Sequence, residues 1–176
     1  MSQINQPEVW LRGPLVDIPA FTQPVAHALL QAKEEIHELM KDFPDALLWQ
    51  RPAGVASPGF HLKHITGVLD RLFTYAAGQP LTLQQLHYLK AEAVEAEDIT
   101  VTSLLNNLDA QVALSLEALK AIDETTLTEP RGVGRQQIPS TVLGLLFHAA
   151  EHTMRHTGQL MVTVRMVKEL RPGSRS

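Results

Sequence analysis

The chain has 176 residues, with 15 Lys and Arg against 19 Asp and Glu for a formal net charge of -4. It carries no basic run able to grip a phosphate backbone, and no stretch approaching the roughly 20 apolar residues of a membrane helix; nucleic acid and membrane are therefore excluded as partners. It has no cysteine, which rules out disulfides, thiolate nucleophiles and cysteine-based metal sites, so any metal must be held by His, Asp or Glu.

An apolar content of 44% with only 5% aromatics predicts one domain over residues 1–176 with an aliphatic core. The start, MSQINQPEVW, has neither a basic opening nor an apolar signal core, so a soluble, cytoplasmic protein is expected.

Residues 1–20 hold Pro7, Gly13, Pro14 and Pro19 around the apolar Trp10, Leu11 and Leu15, the pattern of an extended arm docked on a helical body over residues 22–171. From Thr22 to Asp42, Val25, Ala28, Leu29, Ala32, Ile36, Leu39 and Met40 recur at threes and fours and predict a first amphipathic helix, with Thr22 as cap and Pro24 in its first turn. A loop follows through Pro44, Pro52 and Gly54. Ser57 and Pro58 then make a cap and first-turn pair for a second helix that ends near Ala77, before Gly78 and Pro80.

Leu83, Leu86 and Leu89 suggest a short helix, and the acidic AEAVEAED that follows reads as a solvated face. Asp98 or Thr100 can cap the next long helix, whose stripe is Leu104, Leu105, Leu108, Val112, Leu116, Leu119 and Ile122. A break from Thr125 to Gln137 precedes Pro139 and Ser140, which open a last helix running to about Leu170, before Pro172 and Gly173. No β-type alternation of useful length is present. The expected fold class is all-α, a four-helix bundle with long inter-helix connections, an architecture that builds metal sites from facing helices.

Histidine placement carries the chemistry. His148, His152 and His156 in HAAEHTMRHTGQL, and His61 and His64 in HLKHITGVLDRL, account for five of the eight histidines. Residues four apart stack on one helix face, so adjacent members of the first set can clamp one ion. His148 and His156 cannot share it, being roughly 12 Å apart along the axis at 1.5 Å per residue.

At about 100° per residue, His152 and His156 face the core sector and His148 its edge. On the second helix His61 falls near the centre of the apolar face and His64 nearer its flank, so face position alone slightly favours His61 as the partner from that helix. Buried imidazoles need a partner. Three neutral nitrogens leave a coordination position open, the arrangement of a catalytic rather than a structural divalent site, and Glu151, Asp70 and Asp109 can accept the ligands' remaining N–H groups. His27, His37 and His87 stand alone as surface or packing residues. Other chemistries fail: there is no serine elbow or phosphate-binding glycine loop, and Glu151 precedes His152 rather than following the first histidine as HExxH requires.

The segments HLKHITGVLDRLFTYAAG and HAAEHTMRHTGQL resemble the DinB-like superfamily of metalloproteins, also described as YfiT-like, over residues 20–170. The WLRGPL segment resembles one bacterial branch of it. That resemblance implies a homodimeric four-helix bundle with a divalent metal (zinc, nickel or iron) held by His152 and His156, the HxxxH before Gly158-Gln159. It implies His64, followed by Ile65 and Gly67, as the ligand from the second helix rather than His61. His61, His148 and Glu151 would then line the cavity as supporting or substrate groups.

The activity implied is a metal-dependent transferase or hydrolase that activates water or a thiol for attack on a small electrophile. Its partners would be a small-molecule substrate and a low-molecular-weight thiol. The competing reading is a non-catalytic metal-binding stress-response bundle or a small-molecule binding module.

Overall fold

The computed structural model describes residues 6–96 and 98–170. Four long helices, α1 (Gln23–Met40), α2 (Pro58–Ala76), α4 (Val101–Lys120) and α5 (Val142–Glu169), pack together with a short α3 (Leu83–Ala91) between α2 and α4. The strands β1 (Pro130–Val133) and β2 (Ile138–Thr141) pair antiparallel just before α5. The core is aliphatic throughout: Leu29 and Ile36 of α1, Leu62, Ile65 and Leu69 of α2, Leu108 and Leu119 of α4, and Leu146 and Leu160 of α5 are almost completely buried. Among the described residues no helix is long and apolar enough to cross a membrane.

Helix starts follow local chemistry. Ser57 Oγ accepts from the backbone N–H of Phe60 at 3.2 Å with Pro58 in the first turn of α2. Thr82 and Thr100 each close a reciprocal capping box, with Gln85 and Ser103 respectively. Thr22 precedes α1 but makes no cap; its hydroxyl donates instead to the carbonyl of Pro19.

Three further expectations are corrected here. Pro139 and Ser140 do not open the last helix but lie in β2, and Thr141 caps α5, its hydroxyl oxygen accepting from the N–H of Gly144 at 3.0 Å. A short hairpin therefore begins within the expected break and runs past its end to Thr141; its tip turns through Gly134 and Gln137, both at positive φ. In the N-terminal arm, Trp10 and Leu11 are more than half exposed, while Val9 and Ile18 are buried and Leu15 packs against the core. Gln31 of α1 accepts from the backbone N–H of Val9, and Arg12 pairs with Glu34. Residues 1–5 of the arm, residue 171 and the Pro172-Gly173 stop lie outside the described residues.

Candidate metal centre

The first two turns of α2 and the middle of α5 lie side by side, which brings four of the five clustered histidines together. Nε2 of His64 lies 3.0 Å from Nε2 of His152, and Nδ1 of His61 lies 3.1 Å from Nδ1 of His156. One nitrogen each from His64, His152 and His156 fall within 4.8 Å of one another. The His156 ring is 4.5 Å, centroid to centroid, from both His64 and His152.

His61 is buried, at 3% exposure, whereas His64 is partly exposed, as their positions on the helix face predict. The more central residue is therefore packed behind the cluster, and the flanking one reaches into it. Phe60 stacks on the His64 ring at 5.1 Å, nearly parallel at 13°.

His148 stays exposed on the outer side of α5. Its Nδ1 meets Glu151 Oε1 at 2.6 Å, and Arg155 donates to Glu151 Oε2 at 2.5 Å. His148, Glu151 and His152 form a second group with atoms within 4.8 Å. Both Glu151 oxygens are already engaged there, so the His64 group presents the less committed donors.

The acceptor behind His64 is one that sequence reasoning missed. Glu92 Oε2 accepts from Nδ1 of His64 at 2.7 Å, and its Oε1 accepts from Arg71 Nη1 at 2.5 Å. Glu92 lies in the acidic stretch expected to be a solvated face, yet it is only 3% exposed. Lys63, also buried, is the reason: its Nζ donates to the backbone carbonyls of Ala91 and Val94 and stands over the Trp49 ring. Those two bonds bracket Glu92 and fold the end of α3 down onto α2.

Of the acceptors expected, Asp70 instead accepts from Gln85 and Asp109 pairs with His37 and Lys33. Neither serves a clustered histidine. His37 is thus an ion-pair partner on α1, and His27 Nε2 meets the carbonyl of Gly13.

Gly67 makes the Glu92 contact sterically feasible. A Cβ on it would meet Glu92 Oε1 at 2.4 Å, Arg71 Nη1 at 2.7 Å and Tyr88 Cε1 at 2.8 Å. Gly67→Ala is expected to cost roughly 1–3 kcal/mol, in the range of overpacked cores, despite alanine's better helix propensity, and to loosen Glu92 from His64. Urea unfolding together with zinc titration would measure both.

Burial and charge repulsion favour the neutral forms of His61, His152 and His156. Burial, followed by the neighbouring His64, pushes His61 down to about 4 and His152 to about 4; the same causes bring His156 to about 3. The unfolded chain takes up these protons from its ordinary histidine value of about 6.5 downward, well before the native protein does. Stability is therefore greatest above that value and is lost as pH falls towards 4 and 3. The melting temperature of metal-free protein is expected to drop over that window, and a loss of only about 1 kcal/mol already lowers it by roughly 2–4 °C in a chain of this size. A flat Tm from pH 7 to 4 would contradict this account.

The donor set fits a divalent ion. With an Nδ1 proton of His64 directed at Glu92, the neutral ring keeps its lone pair on Nε2, the nitrogen that faces His152. His152 Nδ1 is buried with no hydrogen-bond partner among the described residues. If His152 is protonated on Nε2, it serves His64 but strands a buried acceptor. If protonated on Nδ1, two lone pairs face each other at 3.0 Å, an arrangement a cation resolves. Neutral imidazoles backed by a carboxylate are the usual setting of a nitrogen-ligated metal.

Fold and site together define a helical bundle whose facing helices carry a histidine cluster able to hold a metal ion. The family model of the DinB superfamily matches residues 28–160, and the chain belongs to that superfamily. It is similar in fold to a conserved protein from Enterococcus faecalis, with a TM-score of 0.67 and 22% identity, covering 83% of this chain and 96% of that one. A protein from Streptococcus pneumoniae is similar at a TM-score of 0.64 and 14% identity, covering 86% and 92%. No curated protein matches the chain.

Proposed function

We propose that this protein is a metal-dependent enzyme whose ion is held by His64, His152 and His156, and which joins a low-molecular-weight thiol, or water, to a small electrophile. The observation that carries the reading is the convergence of three imidazole nitrogens within 4.8 Å, one of them oriented by a buried carboxylate. Zinc, nickel and iron(II) all suit such nitrogen donors. When bound, a divalent ion would supply an open coordination position at which a water or thiol loses its proton near neutral pH.

The chain's own residues do the rest. Glu92 holds the His64 ring in one tautomer, and Arg71 and Lys63 hold Glu92. His61 engages Nδ1 of His156 from behind, and His148 with Glu151 lies at the outer rim, beside the cluster. We further propose a homodimer: Leu143 and Phe147, one turn apart on α5 and 40% and 65% exposed, are the patch that pairing would cover.

The test is a screen of zinc-, nickel- and iron-loaded protein for consumption of small thiols and electrophiles, with His156→Ala as control. Turnover that depends on His156 is the expected result. If the protein takes up metal and turns over nothing, and chelation merely lowers its Tm, the ion is structural and the enzyme reading falls.

A further inference from the structure

The histidine cluster is flanked by a cleft of about 600 Å³, within the size range of small-molecule pockets. Its lining on α5 runs from Arg155 to Met166, roughly 16 Å of helix at 1.5 Å per residue, and polarity changes along that length. His61, Arg155 and Gln159 lie at one end and Val162 and Met166 at the other, with Val55 contributed by the loop before α2. Val55, Val162 and Met166 are 45%, 58% and 37% exposed, so this apolar surface is open to a ligand rather than consumed by the core.

Gly158 lies beside Gln159, one turn before Val162. It sits in the interior of α5, where glycine costs about 1 kcal/mol relative to alanine, and no atom lies within 4 Å of where its Cβ would be. Packing within the chain therefore does not demand a glycine. Its bare backbone instead gives the cleft its depth.

We infer that this cleft binds a small amphipathic molecule, with a polar or anionic head at Gln159 and at the Arg155 nitrogens that Glu151 does not engage, beside the edge of His61, and an aryl or short alkyl arm lying over Gly158, Val162 and Met166. The inference rests on the proposed function only in taking the head to be the reacting end; binding in the cleft stands without it. A second cleft of about 760 Å³ lies at the far end of α2, lined by residues including Tyr75, Leu86, Arg131 and Arg135. It holds none of the clustered histidines.

The experiment uses 4-phenylbutyrate as the probe and butyrate as its armless counterpart, followed by ¹H–¹⁵N spectra of the full chain with and without added zinc. Phenylbutyrate should shift the amides of Gly158, Gln159 and Val162, and butyrate should bind at least tenfold more weakly. Gly158→Leu, which projects into open space and favours the helix, should weaken phenylbutyrate at least tenfold without lowering Tm; Val162→Ser gives a milder loss by a different route.

Shifts confined to the Arg131 cleft, or unchanged affinity in Gly158→Leu, would overturn the assignment. So would amides of residues 158–166 that move on dilution alone, since the surface would then be a contact between copies. Failure of zinc uptake with the phenylbutyrate shifts intact removes the metal reading and leaves this one standing.

Discussion

Replacing His152 by alanine is expected to abolish stoichiometric metal binding, weakening zinc affinity by about a thousandfold, or about 4 kcal/mol. His152 is the ring through which both candidate groups run, so no alternative set survives its loss. The same substitution should not unfold the metal-free protein. It deletes a ring that strands a buried nitrogen and that resists protonation down to about pH 4, so stability should vary less steeply between pH 6.5 and 4 than in the parent chain. Isothermal titration with zinc and Tm against pH measure the two halves separately. A His152→Ala protein that still binds one zinc at parental affinity would remove this residue from the site.

Glu92→Ala, by contrast, is expected to damage the fold as well as the site. Arg71 is 8% exposed and its ion pair in the structure is with Glu92. Stripping the carboxylate leaves a buried guanidinium uncompensated, a change that costs about 3–5 kcal/mol in comparable buried pairs. Loss of the acceptor behind His64 should add a 10–100-fold fall in metal affinity. Glu92→Gln separates the effects, because the amide keeps an oxygen for one neighbour but removes the charge. Chemical denaturation should rank parent above Gln above Ala. Equal stability for all three would mean that Glu92 sits on the surface after all.

The contrast between these two residues also explains what was legible in the sequence. The long helices announced themselves through apolar residues at threes and fours and through Ser57 and Thr100 as caps, because both signals are local. The histidines were legible for the same reason: HxxxH fixes two rings on one face whatever surrounds them, and the structure brings that pair to His64. Glu92 gave no such signal. Its burial depends on Arg71 and Lys63, more than 20 residues away in α2, and without those partners an acidic stretch looks solvated. Gly67 is legible only as a small residue; its reason, the room needed by the Glu92 carboxylate, is likewise non-local. The hairpin was missed because its strands are four residues each, rich in Gly and Pro, and paired through a turn that needs Gln137 at positive φ. In the arm, proximity to larger neighbours hid Val9, and Trp10 turned outward to bond Glu8.

The same hairpin has a role beyond closing a loop. Arg131 in β1 donates to the carbonyl of Ala76 at the end of α2, and the backbone N–H groups of Val142 and Leu143 donate to the carbonyls of Glu129 and Leu127. The ribbon and the residues leading into it are thus tied to the last turn of α2 and to the first turn of α5, the two helices that carry the clustered histidines. The ribbon works as a gauge between them. Sliding α5 by one residue would shift His152 about 1.5 Å along the axis and turn it by about 100°, away from His64, and the ribbon's fixed register opposes that slip. The chain can vary at the Gly134 to Gln137 tip without disturbing the cluster, whereas the spacing from Ala76 through Arg131 to Thr141 is where the geometry of the distant histidines is set.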